Sequence, residues 1–420
     1  MQQLPQSLQE WLLYLESLHP KTIALGLERV VEVKQRLQLE PTFPVIVVGG
    51  TNGKGSVCAM LESILHAAGY RVGCYTSPHL LDYNERVRID KRLASDAELC
   101  ASFAQIEQAR NDIPLTYFEF GTLAAMQCFI AHEVEVAILE VGLGGRLDAV
   151  NVFDSDCAVV TSVDIDHTEY LGSTREQIAF EKAGIFRAGK VAIFGDPDMP
   201  DAIVTQVQKV GATLWHLGKQ YSFNIGELQW DYQGTGGKRS SLPFPALRGA
   251  FQLNNASTVL AALDALKEQL PVSMSAIRRG LTEVELPGRF QVVPGRPQLI
   301  LDVAHNPHAA RSLARNLASM PPYPVTYAVC AMLKDKDMAG VVRELLWQVD
   351  VWLLAGISAP RGATAEELAE VVRQELIEGE VLTFTTVAEA LNHACKAANE
   401  NDRIITFGSF YTVAEALRAK

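Results

Sequence analysis

The stretch Val45-Ile46-Val47-Val48-Gly49-Gly50-Thr51-Asn52-Gly53-Lys54-Gly55-Ser56 constrains what this chain can fold into more than any other. Four β-branched apolar residues in a row predict a buried strand. A glycine-rich turn follows, then a helical pattern from about Val57 to Ala68. A strand, a glycine turn and a helix N-terminus in that order make a phosphate cradle, because backbone N–H groups and the positive end of the helix dipole converge on one spot. Lys54 would reach terminal phosphates, and the Ser56 hydroxyl would ligate Mg²⁺. The spacing departs from the common form GxxxxGK[ST]: Val48 stands where the first glycine would be, and Gly55 separates Lys54 from the hydroxyl residue. The bland alternative is a tight turn with a surface lysine.

At 420 residues the chain exceeds one ordinary core, so two or three domains are expected. A net charge of −12 argues against a general nucleic-acid binder, which needs a basic surface, though not against an anionic substrate in a local basic pocket. Seven scattered cysteines, an odd number without a CxxC pair, predict buried apolar thiols in a reducing cytoplasm. MQQLPQSLQEW lacks the basic and apolar regions of a signal peptide, and no apolar run reaches the 18 or so residues of a membrane span.

An amphipathic helix over 7–18 carries Trp11, Leu12, Leu15 and Leu18, and His19 reads as a surface or cap residue. A second helix is expected over 22–38. After the loop helix, Arg71–Tyr75 predicts a strand, with Thr76-Ser77-Pro78-His79 as a polar turn at its C-terminal end, where ligands gather in doubly wound sheets. Ser77 is either a turn hydroxyl or a Mg²⁺ ligand. Leu80–Arg92, with Arg86, Arg88, Lys91 and Arg92, reads as a solvated basic face or a cover over an anionic ligand. A helix starts at Ser95 with a capping pattern. Leu115-Thr116-Tyr117-Phe118-Glu119-Phe120 opens another apolar helix, Gly121 to Ala131; its rings and carboxylate are core plus an N-terminal charge, or a stack for a flat heterocycle.

Glu135–Glu140 reads as a strand, and a carboxylate at its C-terminal end is where a metal ligand sits in phosphate-handling folds. Cys157–Val163 is another, leading to His167. Histidine is an unusual Mg²⁺ ligand, since magnesium prefers oxygen. Lys182, on an amphipathic helix over 174–186, would ordinarily be solvated. Turn-rich, β-like segments over 219–242 suggest a small antiparallel excursion. Beyond Leu286-Pro287-Gly288-Arg289 and Pro294-Gly295-Arg296-Pro297 the alternation restarts, with strands near 298–302, 325–330, 350–354, 381–385 and 403–407. The expected fold is therefore α/β. A P-loop-type doubly wound sheet domain (1–290) with a smaller antiparallel excursion is followed, after a linker (291–296), by a second, smaller Rossmann-like α/β domain (297–420). Asp302-Val303-Ala304-His305-Asn306-Pro307 and Gly408-Ser409-Phe410-Tyr411 fall at strand C-terminal ends in the second domain, on the crevice side expected to face the first.

Nine ordered motifs support a resemblance: GTNGKGS (50–56), YTSPHL (75–80), LTYFEFGT (115–122), LEVGLGGRLDA (139–149), DHTEYLG (166–172), EKAGIF (181–186), LPGRFQ (286–291), DVAHNPHA (302–309) and GSFYTV (408–413). Across nearly its whole length the chain resembles the bacterial folylpolyglutamate synthase family, and within it the bifunctional dihydrofolate synthase/folylpolyglutamate synthases, relatives of the Mur ligases. The resemblance implies an ATP-dependent ligase that joins L-glutamate to dihydropteroate and to reduced folates through an acyl phosphate, without nucleic-acid or membrane partners and as a monomer. It implies ATP contacts from Gly50, Thr51, Asn52, Gly53, Lys54, Gly55, Ser56, Asn255, Arg289 and Asp302. It implies Mg²⁺ on Ser77, Glu140 and His167 besides Ser56, and a carbamylated Lys182, whose anionic oxygen would answer the histidine objection. The implied pterin pocket comprises Ser17, Leu18, His19 and Pro20, Thr116 to Glu119, and Arg146, Leu147 and Asp148. His305 and Ser409 match the glutamate site, with His305 as a possible proton acceptor. A Mur ligase proper would carry about 100 further residues ahead of the loop, and only 48 precede Gly49.

Overall fold

The computed structural model describes residues 4–19, 24–249, 251–375 and 379–419. It divides into two compact units: residues up to Ala246 with Leu253–Val284, and Leu247–Gln252 with Glu285 onward.

The first unit is built on an eight-stranded sheet. Its strands are β1 (Val45–Gly49), β2 (Val72–Tyr75), β3 (Val87–Ile89), β4 (Arg92–Leu93), β5 (Val136–Glu140), β6 (Cys157–Val160), β7 (Val191–Phe194) and β8 (Thr213–His216). They lie in the order β4-β3-β2-β5-β1-β6-β7-β8. Six are parallel, and at one edge β3 pairs antiparallel with β2 and β4 antiparallel with β3. The central strands are buried throughout, and apolar but for Glu140 at the end of β5. β1 is flanked by β5 on one side and β6 on the other, so the chain changes direction around it, and the crevice at such a reversal is where ligands bind. Register sets Val48 beside Glu140 and Gly49 beside Val160, which brings the ends of three strands together.

The antiparallel excursion is a three-stranded sheet of β9 (Ser222–Ile225), β10 (Trp230–Gly234) and β11 (Gly237–Leu242). Tyr232 ties it to the helix Gln252–Ala265 by donating to Asp264 at 2.9 Å.

The second unit holds a six-stranded sheet: β12 (Gln291–Val293), β13 (Gln298–Leu301), β14 (Thr326–Cys330), β15 (Val351–Ala355), β16 (Glu380–Phe384) and β17 (Arg403–Phe407). The order is β12-β13-β17-β14-β15-β16, parallel except for β12. The residues expected to link the domains therefore include an edge strand: the 294–297 turn folds β12 back onto β13, and the units part near 284 rather than 290.

Two local expectations need correction. The loop helix begins at Lys54, three residues before the apolar pattern, because glycine and serine residues can also be helical when an N-terminus is held in place. The Leu80–Arg92 segment is not uniformly a solvated basic face. Arg92 is exposed, but Arg88 is half-buried against Glu62 at 3.0 Å, and its guanidinium also donates to the Thr76 hydroxyl (3.0 Å) and Glu85 C=O (2.9 Å). β3 pairs with β2, and that pairing turns Arg88 inward. The seven cysteines are free. Among the described residues no helix is long and apolar enough to cross a membrane.

Candidate active site

The candidate phosphate loop is shaped by two glycines at positive φ where a side chain would be strained and crowded. Gly50 has φ +138°, and a Cβ there would stand 1.9 Å from the Thr161 hydroxyl oxygen. Gly53 has φ +89° at the N-cap of the helix Lys54–Ala67, and a Cβ there would stand 2.7 Å from Asn255 Oδ1. The loop thus opens into the helix N-terminus, with Asn255 against it and Ser56 buried in the first turn. The Lys54 ammonium donates back to Gly50 C=O (3.0 Å) and Thr51 C=O (3.1 Å), so it lies over the loop rather than out in solvent. The backbone N–H groups of Thr51 and Asn52 are directed elsewhere, to Ser162 C=O (2.8 Å) and Ser162 Oγ (3.2 Å). These two donors are therefore already engaged within the protein.

Glu140, buried at the end of β5, accepts from the Ser77 N–H at 3.1 Å, so these two candidates meet. His167 heads the short helix Thr168–Leu171 in a left-handed conformation (φ +51°), and its N–H donates to Asp166 Oδ1 at 2.8 Å. A non-glycine residue held at positive φ marks local strain of the kind that collects at functional sites. Lys182, expected to be solvated, is buried. Burial pushes its amine down to about 7, the nearby Lys54 charge adds to this, and Asp166 and Asp148 oppose it. Burial likewise pushes the Asp148 carboxyl up to about 7 against the N–H groups of Leu143 (2.8 Å) and Val150 (3.0 Å) and the Lys54 charge. Lys54, Lys182, Asp148 and Asp166 thus share one electrostatic neighbourhood. Among the described residues no group of three or more His, Cys, Asp or Glu side chains is arranged to hold a metal. The candidate set of Ser56, Ser77, Glu140 and His167 has only two such residues, but its hydroxyls and carboxylate are the hard oxygen donors magnesium takes.

Thr116 and Glu119 form a reciprocal capping box, with Glu119 Oε2 accepting from Thr116 N–H at 2.7 Å. Glu119 also pairs with Arg29 at 3.0 Å. The carboxylate therefore has a structural task, and Arg29 is a neighbour that no local pattern in the sequence could have signalled. Tyr117 lies edge-on to Tyr83 with Arg86 over its face at 5.4 Å, and Phe118 packs against Tyr75. Arg146 pairs with Glu181 at 2.9 Å and covers Phe180, while Leu147 is half-buried. Ser17 donates to Tyr14 C=O (2.7 Å), Leu18 packs on the core, and His19 ends its helix. Pro20 lies outside the described residues.

In the second unit, Asp302 follows β13 and accepts from Phe290 N–H (2.8 Å) and Ala304 N–H (2.7 Å). Burial raises its carboxyl above the ordinary range, and Arg289 opposes the shift. The His305 Nδ1–H donates to Val303 C=O at 2.8 Å, which makes Nε2 the basic nitrogen of the neutral ring. Ser409 is the buried N-cap of the helix Phe410–Arg418, bonded to Thr412 N–H (3.0 Å) and Thr412 Oγ1 (2.7 Å). Phe410, to which no role attaches in the sequence, joins these residues: the Arg289 guanidinium sits 4.9 Å from its centroid, and the His305 ring 6.3 Å.

Known proteins share this fold. Residues 48–263 match the Mur ligase middle domain and residues 288–410 the Mur ligase glutamate ligase domain. The dihydrofolate synthase/folylpolyglutamate synthase of Escherichia coli is 48% identical over 411 residues, covering 98% of this chain and 94% of that one. Its solved structure, E. coli FolC in complex with DHPP and ADP, superposes with a TM-score of 0.95 at 47% identity, covering 100% of this chain and 98% of that one. The bifunctional folylpolyglutamate synthase/dihydrofolate synthase of Yersinia pestis, complexed with AMPPNP and Mn ion, gives 0.92 at 49% identity over 99% of both chains. The chain belongs to the bifunctional dihydrofolate synthase/folylpolyglutamate synthase family of the Mur ligases.

Proposed function

We propose that this chain is an ATP-dependent ligase that adds L-glutamate to dihydropteroate, forming dihydrofolate, and to reduced folylmono- and polyglutamates. The observation that carries this reading is the glycine-walled helix N-terminus with Lys54 over it, in the same neighbourhood as Asp148 and Lys182. A site that keeps an amine and a carboxyl near neutrality suits chemistry on a multiply charged phosphate.

The acceptor's carboxylate attacks the γ-phosphorus of ATP and releases ADP, which turns a poor leaving group into a good one. The Lys54 ammonium offsets charge on the transferring phosphoryl group. Ser56, Ser77, Glu140 and His167 would hold Mg²⁺, which supplies further neutralisation of the phosphate oxygens when bound. The glutamate amine then attacks the acyl carbon, inorganic phosphate leaves, and the amine's proton goes to a base, for which His305 Nε2 is the candidate. Lys182, with its amine pushed down to about 7, is uncharged often enough to add to CO₂, forming a carbamate and releasing a proton. The carbamate would replace a repelling cation with an anionic oxygen. Free thiols throughout suit a reducing cytoplasm.

The test is ADP release and product mass spectrometry with dihydropteroate and with a reduced folylmonoglutamate, each supplied separately with ATP and L-glutamate. Glutamylated product from both acceptors is expected. No glutamate-dependent ADP release with either would defeat the reading, and product from only one would reduce it to a single activity. His305→Ala with intact glutamate-dependent turnover would remove the histidine from the mechanism.

A further inference from the structure

Three buried hydroxyls stitch the phosphate loop to the turn after β6. Thr161 Oγ1 donates to Asn52 C=O at 2.6 Å. Ser162 Oγ accepts from Asn52 N–H (3.2 Å) and donates to Asn52 C=O (3.1 Å). Thr51 Oγ1 accepts from Asp164 N–H (3.0 Å) and donates to Asp164 C=O (3.1 Å). A hydroxyl has one proton to give and lone pairs to accept with, so Thr51 engages both backbone polar groups of a single residue. Its own N–H is bonded to Ser162 C=O, so the loop and the strand end are held at two adjoining points. Asp164 opens the 164–167 turn, whose end is the left-handed His167.

We propose that Thr51 is a positioning residue rather than a ligand contact. Its hydroxyl locks the 164–167 turn to the phosphate loop, so that nucleotide binding at the loop and the ordering of the turn that presents His167 are coupled. The inference rests on the reading of the loop as a phosphate site. Valine has threonine's shape without its donor or acceptor, so Thr51→Val removes the lock and little else, while Thr51→Ser keeps it.

The test uses the full chain as wild type, Thr51→Val and Thr51→Ser, with ADP affinity measured by calorimetry and amide hydrogen exchange followed over 164–171 with and without ADP. Thr51→Val should weaken ADP by about tenfold and raise KM for ATP similarly, with KM for glutamate unchanged. ADP should slow exchange over 164–167 in the wild type and in Thr51→Ser but not in Thr51→Val, and Thr51→Ser should stay within about twofold of wild type in affinity. Wild-type ADP affinity in Thr51→Val, or undiminished protection of the turn, would overturn the proposal, as would a variant that melts earlier yet binds ADP normally. Should Thr51→Val not fold, Ser162→Ala tests the adjoining stitch, and unchanged ADP affinity there overturns the proposal equally. A wild type that binds no ADP would overturn the phosphate-loop reading itself, whereas a binding wild type with an indifferent Thr51→Val overturns this inference alone.

Discussion

The end of β1 in the first unit and the end of β13 in the second are both C-terminal ends of parallel strands, and each holds a buried carboxyl raised by burial, but the first gathers the two lysines Lys54 and Lys182 beside it, whereas the second has Arg289. Around β1 the sheet buries more charge than its neighbours neutralise: Lys182 and Asp148 are each displaced to about 7, and Lys54 lies over backbone carbonyls. Around β13 and β17 most polar side chains answer nearby backbone N–H groups. Asp302 accepts from Phe290 and Ala304, Asn306 caps the helix Pro307–Ala318, and Ser409 caps the last helix. The first region stores electrostatic strain, which phosphoryl transfer can use. The second stores geometry, which suits the positioning of a neutral nucleophile.

Four substitutions test this contrast, from the largest effect to the smallest. Lys54→Met should lower kcat for ADP release by a factor of about 100 to 1,000, the scale for removing one charged stabiliser of a transferring group; a comparable loss from Ser409→Ala would erase the distinction. Lys182→Met should change how stability depends on pH, measured as denaturant midpoints in CO₂-free buffer. The unfolded chain holds this lysine's proton up to about 10.5, whereas the folded protein releases it near 7, so wild-type stability carries a full penalty below about 7 and recovers as pH rises toward 10.5. The variant should lack that rise, worth on the order of a few kcal/mol; parallel curves for the two proteins would mean that burial does not perturb Lys182. Asp302→Ala strands two N–H groups and should cost about 1–3 kcal/mol in chemical denaturation, with Asp302→Asn losing less. Ser409→Ala should cost about 1 kcal/mol through the lost cap, with Ser409→Asp near wild type. An unchanged KM for glutamate in that variant would sharpen the contrast by making the cap Ser409's whole role.

Much of the candidate site was legible locally. The β-branched run and its glycines announced the strand, tight turn and helix of the candidate phosphate loop, and Glu140 stood where a buried strand ends. What escaped was set by distant neighbours. Lys182 reads as solvated because one helical turn cannot reveal what covers it. Arg88 reads as exposed because Glu62 lies on a helix 26 residues earlier. The Thr51–Asp164 bonds span 113 residues between polar types common in any turn.

The sequence by itself determined the order of elements, the glycine positions where only positive φ would serve, and the chemical types gathered at the strand ends, since these follow from periodicity, sterics and side-chain inventory over a few residues. Only the tertiary structure decided which charges lost their water, which hydroxyls became struts, and where the two units part. Desolvation and hydrogen-bond pairing depend on what lies across a sheet, and chain distance carries no record of that.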